Sequence, residues 1–213
     1  MGIPTPPFVA YSRVQEPQKT MSWWEQKVFN RVLDRSLDKP EVHAERRRTL
    51  AGARGRILEV GIGTGLNLPW YPPDVERITA VSRDPGLSPR AERRAEERGI
   101  AVEHVPVDAH VLPFPEASFD TIVCTLLLCS VDDPGQVVGE MRRVLAPDGR
   151  LLVYEHVVSP RPFERFAQRV IGPLHRLYGC GCRLNRDTAT TIAAAGFDCG
   201  EIESYKTDAL SFP

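Results

Sequence analysis

Residues 56–67 read RILEVGIGTGLN, and the passage from strand to glycine turn within them sets the architecture of the chain. Ile57, Leu58 and Val60 form a short apolar run of the kind that makes a buried strand. The glycines that follow allow a tight turn and a close approach of a ligand to the main chain. If a helix opens at Gly65, its free N–H groups and positive dipole end face the same space. The stretch predicts a nucleotide-type pocket at the carboxyl end of a first strand.

The spacing of the glycines narrows the kind of ligand. Gly61, Gly63 and Gly65 are two residues apart, whereas a pyrophosphate-binding turn has the G-x-G-x-x-G spacing, and no P-loop lysine follows. Glu59 precedes them, and a carboxylate that faces the pocket suits a cationic ligand better than a polyphosphate. The alternative is a glycine-rich turn that binds nothing.

The composition is that of a soluble globular protein. A chain of 213 residues is long enough for one α/β domain with a sizeable core and too short for two. A net charge of −1 does not favour nucleic acid as a partner. Five scattered cysteines do not form a disulfide framework, and no apolar run approaches the roughly 20 residues of a membrane span. We therefore expect a cytoplasmic protein without an integral membrane segment.

The chain divides into an arm and one domain. Residues 1–20 contain four prolines and predict an irregular arm, and residues 21–213 predict a single domain. Within it, helices over 21–50 are expected to cover the pocket or to pack on the sheet edge, with arginines 46–48 on a solvated face. An apolar stripe in the segment 157–186 predicts either an insertion that walls a substrate pocket or a plain core helix, with a kink or break at Pro173.

The region after the glycine loop alternates strands and helices. Further strands are predicted at 76–81, 100–107, 118–124, 150–155 and 197–205. Helices are predicted at 87–98, from Asp133 onward and at 187–195, and a turn at 147–149. This rhythm implies right-handed crossovers and a parallel, doubly wound sheet.

Ligands of such sheets lie beyond the carboxyl ends of the strands, so the residues just past each strand are candidates for the site. A carboxylate that accepts from two ribose hydroxyls is expected after the second strand, but Ser82 stands there, with Asp84 two residues later. After the third strand, Asp108 and the backbone N–H of Ala109 can read the amino group and a ring nitrogen of adenine. The alternative for Asp108 is a residue that starts a turn.

A histidine and several cysteines complete the candidates. His156 follows the fifth predicted strand, where it is the natural general base, unless its ring is satisfied by a backbone carbonyl. Cys124 and Cys129 lie in an apolar run and are interpreted as small buried apolar residues. A zinc site is weighed and not predicted, because the spacing is C-x-C with no second pair; its members would be Cys180, Cys182, His175 and Cys199.

Several motifs carry a family resemblance. EVGIGTG at 59–65, VDAHVLPFPEASFD at 107–120 and EMRRVLAPDGRLLVYEH at 140–156 resemble class I S-adenosyl-L-methionine (SAM) dependent methyltransferases, in the branch of the ubiquinone/menaquinone methyltransferases. TGLNLPWYP, VCTLLLCSV and GCRLNRD are similar to the small-molecule thiol S-methyltransferases of the methyltransferase-like family. The resemblance implies an α/β, Rossmann-like fold: a doubly wound, mostly parallel sheet of six or seven strands with helices on both faces.

The resemblance also implies a cofactor and a reaction. The cofactor would be SAM, with S-adenosyl-L-homocysteine as product, bound by Glu59, Gly61, Gly63, Gly65, Asn67, Ser82, Asp84, Asp108, Ala109, Thr125 and Leu126. His156 would be catalytic, on the side of a small, fairly apolar methyl acceptor, with a thiol favoured. A quinone, a phenolic natural product or a phospholipid head group is the alternative acceptor, and a non-catalytic binding protein is the alternative class. A homodimer is expected as a partner state, and no nucleic acid.

Overall fold

The computed structural model describes Asp34, residues 37–178 and residues 181–200. The proline-rich arm predicted at 1–20, Cys180 and the end of the predicted strand 197–205 lie outside these ranges. No helix within the described ranges combines the length and the apolarity needed to cross a bilayer.

The described elements alternate as predicted. In chain order they are helix α1 (Pro40–Leu50), strand β1 (Ile57–Val60), a 3₁₀ turn (Leu68–Trp70), strand β2 (Arg77–Ser82), helix α2 (Pro89–Arg98) and strand β3 (Ala101–Pro106). Strand β4 (Phe119–Thr125), helix α3 (Pro134–Val144), strand β5 (Leu145–Tyr154), helix α4 (Pro162–Tyr178) and helix α5 (Thr188–Ala194) follow.

Five parallel strands form one sheet in the order β3-β2-β1-β4-β5. The order reverses between β1 and β4, so the predicted doubly wound sheet and its switch point are confirmed. Val60, Val81 and Cys124 are in register near the carboxyl ends of the three central strands, which brings the loops after them together.

The sheet has five strands over the described residues, fewer than the six or seven expected. Residues 197–200, the start of the predicted sixth strand, are not extended in the sheet. The Asp198 carboxylate accepts the N–H of Gly200 at 3.1 Å, a local contact typical of a turn.

Both faces of the sheet are covered, because alternate strand residues enter two separate cores. On one face the residues of β1 and β4 pack against helix α3; this core includes Leu58, Ile122, Val137 and Met141. On the other face they pack with residues of α1 and α2; this core includes Ile57, Val123, Leu50 and Ala95. Helices on both faces are therefore confirmed.

The helix ends follow their sequence signals. The Asp133 side chain accepts the N–H of Gln136 ahead of Pro134, and the Ser88 side chain accepts that of Ala91. Gly99 ends α2 with φ +72°, the left-handed conformation that favours glycine. The predicted turn at 147–149 lies in a bulge, since the pairing of β5 with β4 skips from Leu145 to Arg150.

Helix α4 departs from expectation in two ways. It continues through Pro173, so the predicted break is absent from the assigned helix. Its apolar stripe points outward, with Phe163 82% and Phe166 66% exposed, so the reading as a plain core helix is wrong.

Candidate active site

The glycine loop turns tightly after β1 because its glycines adopt conformations that other residues avoid. Gly65 has φ +75°, and a Cβ there would lie 2.7 Å from Leu68 Cδ1 and 2.9 Å from the Cα of Ala91. No helix opens at Gly65: turns and one short 3₁₀ segment follow it. The prolines of this stretch explain why, since they interrupt a helix at positions 69, 72 and 73. The chain after Gly65 therefore does not supply the helix dipole that was considered for this pocket.

A buried polar network lies at the carboxyl ends of β1 and β4. Asn67 Nδ2 donates to Glu59 Oε1 at 2.9 Å and to Thr125 Oγ1 at 3.0 Å, and the Tyr71 hydroxyl donates to Glu59 Oε2 at 2.8 Å. Arg46 Nη1 donates to Asn67 Oδ1 at 2.6 Å. We call these five residues the strand-end network. Three of them, Glu59, Asn67 and Thr125, were candidates from the sequence.

Arg46 corrects one expectation. It was placed with Arg47 and Arg48 on a solvated face, but it is only 3% exposed and reaches from α1 to the strand ends. The spacing of the sequence does indicate that Arg46 is buried. Val42, Arg46 and Leu50 are four residues apart and so share one face of the helix, which is the buried face.

Two polar atoms next to this network are unsatisfied in the part of the chain that the structure describes. Arg46 Nε and the Tyr154 hydroxyl are buried and have no hydrogen-bond partner there. Tyr154 pairs with Thr125 between β5 and β4, and its charge acts on Arg46. Buried polar groups without a partner are uncommon in proteins, and both of these atoms are hydrogen-bond donors.

Burial dominates the electrostatics of the network. It raises the pKa of Glu59 to about 7, while the bonds from Tyr71 and Asn67 and the charge of Arg46 oppose the rise. Burial also lowers the pKa of Arg46, and it raises the pKa of Tyr71 well above its usual value. A cation that enters beside Glu59 would favour the ionised carboxylate.

Ser82, at the end of β2, and Asp84, just beyond it, both lie near His104 of β3. The Ser82 hydroxyl hydrogen-bonds His104 Nε2 at 2.9 Å, so it has a protein partner already. Burial lowers the pKa of His104, and the charge of Asp84 opposes this shift, which places the carboxylate of Asp84 in the same neighbourhood. Asp84 makes further interactions of its own.

Asp108 starts a turn, as the alternative interpretation held. Its Oδ1 accepts the backbone N–H of His110 at 3.0 Å and also contacts His110 Nδ1. Burial raises the pKa of Asp108, but these bonds from His110 outweigh it and hold the pKa below its usual value. Both bonds use Oδ1, and the next residue, Ala109, is half-buried.

The loop after β4 is held by a carboxylate that sequence reasoning did not single out. Glu155 Oε1 accepts the N–H groups of Leu127 and Leu128, both at 2.6 Å, and Oε2 accepts that of Cys129 at 3.3 Å. Leu126 begins this loop with φ +54°, and its N–H donates to the carbonyl of Tyr154 at 2.8 Å. The end of β5 thus fixes the path of the chain beyond β4.

His156 lies apart from the strand-end network, with two cysteines. Its Nδ1 is 3.4 Å from the Sγ of Cys182, and the Sγ of Cys129 is hydrogen-bonded to both residues. Cys124 and Cys129 are buried, as predicted for small apolar residues. The Cys182 contact and burial raise the pKa of Cys129. Sequence spacing gave no signal for this grouping.

Comparisons with known proteins identify the domain. A family model described as a methyltransferase domain matches residues 58–153. The chain is 38% identical over 154 residues to thiol S-methyltransferase TMT1B of Homo sapiens, over 70% of this chain and 63% of that protein. It is 41% identical over 116 residues to a phosphatidylethanolamine N-methyltransferase of Cereibacter sphaeroides, over 52% of this chain and 57% of that protein. The crystal structure of the YcgJ protein from Bacillus subtilis superposes with a TM-score of 0.59 at 26% identity, over 72% of this chain and 66% of that chain.

The matches cover only part of this chain and part of each relative. The chain spans less than two thirds of the length of the curated relatives. The family model includes Glu59 and Asp108 but ends before His156. The matched domain indicates SAM as cofactor, as predicted. Over residues 58–153 the chain therefore matches the methyltransferase domain family, and its sheet has the fold of the class I SAM-dependent enzymes.

Proposed function

We propose that this protein transfers a methyl group from SAM to a small, fairly apolar acceptor, with a thiol as the favoured acceptor. The observation that carries the proposal is the strand-end network, a buried set of charged and polar groups at the switch point of a methyltransferase domain. The amino acid end of SAM carries an ammonium group and a carboxylate, so a buried site for it needs both an acidic and a basic side chain.

The residues present fit that end of SAM. Glu59 supplies a carboxylate for the ammonium group, and backbone carbonyls of Thr125 and Leu126 are assigned to the same group. The unsatisfied Arg46 Nε and Tyr154 hydroxyl are donors for the carboxylate. Charge-assisted hydrogen bonds of this kind are about twice as strong as neutral ones.

The nucleoside end is assigned to the loops after β2 and β3. Asp108 Oδ2 and the N–H of Ala109 are proposed to bind adenine. For the ribose, Asp84 is the proposed carboxylate and Ser82 at most a second partner, because its hydroxyl is bonded to His104. Gly61, Gly63 and Gly65 are proposed to let the cofactor lie against the main chain.

Methyl transfer from a sulfonium is an in-line displacement, so the protein mainly aligns the acceptor and removes its proton. SAM supplies an activated methyl group when it is bound. His156 is the proposed group on the acceptor side. If Nδ1 carries the hydrogen that faces the Cys182 sulfur, Nε2 is left as the basic nitrogen.

A thiol needs the least help of the acceptors considered, since thiolates are accessible near neutral pH and strongly nucleophilic. The similarity to a thiol S-methyltransferase supports this choice. The similarity to a phosphatidylethanolamine N-methyltransferase supports the phospholipid head group as second candidate. The quinone or phenol acceptor, the non-catalytic class, the cytoplasmic location, the homodimer and the absence of a nucleic acid partner stay predictions.

Calorimetric titration tests the cofactor proposal. SAM and S-adenosyl-L-homocysteine are titrated into the unaltered protein and into Ser82→Asp, which restores the missing ribose carboxylate. We expect both proteins to bind, with tighter binding by Ser82→Asp. No binding to either protein would overturn the proposal.

An acceptor screen follows with radiolabelled SAM. We expect methylation of soluble apolar thiols and none of a phenol. Methylation of phosphatidylethanolamine vesicles without methylation of thiols would select the second candidate. Cofactor binding without transfer to any acceptor would favour the non-catalytic class.

A further inference from the structure

Three potential metal ligands converge beyond the carboxyl ends of β4 and β5. The two sulfur atoms of Cys129 and Cys182 and a ring nitrogen of His156 all lie within 4.8 Å of one another. Cys129 is 1% and Cys182 5% exposed, and His156 is half-buried. We call this set the Cys₂His cluster.

We propose that the Cys₂His cluster binds a zinc ion with three protein ligands and one open position, which accepts the thiol of the substrate. Two sulfurs and one imidazole are soft and borderline donors, the set that selects zinc over magnesium or calcium. Two thiolates also neutralise a divalent cation, so the loaded site carries no net charge into a buried place.

The distances suit a tetrahedral ion. With Zn–S of about 2.3 Å and Zn–N of about 2.0 Å, a bound sulfur and a bound nitrogen are about 3.5 Å apart. The Cys182 Sγ to His156 Nδ1 distance is 3.4 Å. The ring of His175 is farther away, with its centroid 6.2 Å from that of His156, so the cluster has three members among the described residues.

The three ligand-bearing segments are bonded to one another through their main chains. The N–H of Arg183 donates to the carbonyl of Cys129 at 2.9 Å, which sets Cys182 beside Cys129. Arg186 Nη1 donates to the Leu128 carbonyl at 2.5 Å, and the N–H of Val158 donates to the Arg186 carbonyl at 2.9 Å. The cluster is thus held in place by contacts other than its own, as a binding site requires.

Glu155 fixes the remaining side of the cluster. Its carboxylate holds the N–H groups of residues 127–129, and its neighbour in sequence is His156. The loop that carries Cys129 and the strand end that carries His156 therefore keep a constant separation.

An open fourth position would allow the zinc ion to bind the thiol of the substrate directly. This part of the inference rests on the proposed function. A thiol that coordinates zinc loses its proton to solvent and is held as thiolate. The thiolate sulfur then forms the bond to the methyl carbon while the bond from that carbon to the sulfonium sulfur breaks. The electron pair of the broken bond stays on the sulfur of S-adenosyl-L-homocysteine. The methylated product is a neutral thioether, a weaker ligand that leaves.

Two other states of the cluster are testable alternatives. The thiols and the imidazole can hydrogen-bond only to each other, or the two cysteines can form a disulfide. Zinc and a disulfide exclude each other, because a disulfide has no free thiolate.

The test measures metal content and ligand type on the full chain. The protein is purified without a histidine tag or chelator, and its zinc is counted by inductively coupled plasma mass spectrometry. Zinc is then exchanged for cobalt, whose near-ultraviolet thiolate charge-transfer band reports sulfur ligation in the unaltered protein. Cys129→Ser and Cys182→Ser are compared with Cys199→Ser, whose sulfur lies outside the cluster, 3.6 Å from the Phe197 carbonyl.

We expect about one zinc per chain in the unaltered protein and in Cys199→Ser, and at least tenfold weaker zinc binding in each cluster variant. We also expect an apolar thiol to change the cobalt spectrum. Absence of the thiolate band, or a disulfide in the intact mass after alkylation, would overturn the proposal. SAM titration of the same samples separates the two ideas: SAM binding without metal leaves the proposed function standing, and metal binding without SAM leaves the zinc site standing.

Discussion

The guanidinium of Arg46 donates to the side-chain oxygen of Asn67 over 2.6 Å, across 21 positions of sequence, and so joins helix α1 to the strand ends. The side-chain NH₂ group of Asn67 in turn donates to Glu59 Oε1. A basic and an acidic side chain are thereby held in one buried network, and the proposed binding of the amino acid end of SAM uses both.

Replacing Arg46 tests this arrangement. Arg46→Met is expected to weaken SAM binding at least about tenfold, because one charge-assisted hydrogen bond contributes about 1.5–3 kcal/mol. Arg47→Met is the matched control on the same helix, since Arg47 is exposed and lies over the Trp70 ring. Calorimetry measures the affinities, and thermal unfolding of both variants checks that they fold. Equal affinity in the two variants would contradict the role of Arg46.

The pKa of Glu59 predicts a pH dependence of stability. Burial raises this pKa from 4.5 to about 7, so between these values the folded state keeps a proton that the unfolded state loses. The contribution of Glu59 to the free energy of unfolding is therefore complete below pH 4.5 and falls as the pH rises towards 7, by about 3 kcal/mol at most. Glu59→Gln lacks this loss, so its stability relative to the unaltered protein should grow over the same window.

Urea unfolding at several pH values measures this difference. A difference between Glu59→Gln and the unaltered protein that stays constant from pH 4.5 to pH 7 would contradict the shifted pKa. The same variant should bind SAM more weakly at neutral pH, because the carboxylate that balances the ammonium group is gone.

Alanine substitutions at three glycines distinguish the cost of backbone strain from the cost of a steric clash. Gly65→Ala should lower the free energy of unfolding by about 2–5 kcal/mol, because it combines a positive φ with a clash against Ala91. Gly99→Ala has the positive φ and open space, and should cost about 1–2 kcal/mol. Gly86→Ala has open space and no positive φ, and should change stability by less than about 0.5 kcal/mol. Chemical denaturation ranks the three, and any other order would contradict the geometry.

His156→Gln distinguishes two roles of the imidazole in thiol methylation. A general base is dispensable at high pH, where solvent supplies the thiolate directly. A zinc ligand is not, because the ion is lost at every pH. The zinc proposal replaces the role of His156 as a general base, and it predicts that turnover of the variant stays low across the pH range while its zinc content falls, as measured by pH–rate profiles and metal analysis. Recovery of turnover at high pH would assign His156 as a base. His43→Gln, a histidine paired with Asp38, is the control.

Local sequence signals predicted the parts of the fold that depend on neighbouring residues. The Asp133-Pro134 cap and the Gly99 terminus are formed where predicted, because each depends on backbone geometry within a few residues. The parallel sheet followed from the alternation of strands and helices.

The errors also have local causes. The helix considered after Gly65 does not form, because three prolines within the next eight residues lack the N–H groups that a helix needs. Arg46 was grouped with its charged neighbours, although its spacing from Val42 and Leu50 placed it on the buried face.

The Cys₂His cluster was out of reach for a different reason. Its members come from three separate segments, and the main-chain bond from Arg183 to Cys129 brings two of them together. No spacing rule contains that bond, because it depends on how the chain after α4 returns to the sheet.

The side chain of Glu155 ties the loop after β4 to the end of β5. Burial raises the pKa of Glu155 well above its usual value. Separating the loop after β4 from β5 would break its three hydrogen bonds to the N–H groups of residues 127–129, at about 0.5–1.5 kcal/mol each. The loop after β4 is therefore held against the end of β5. Helix α4, which follows β5, instead presents exposed apolar side chains such as Phe163 and Phe166.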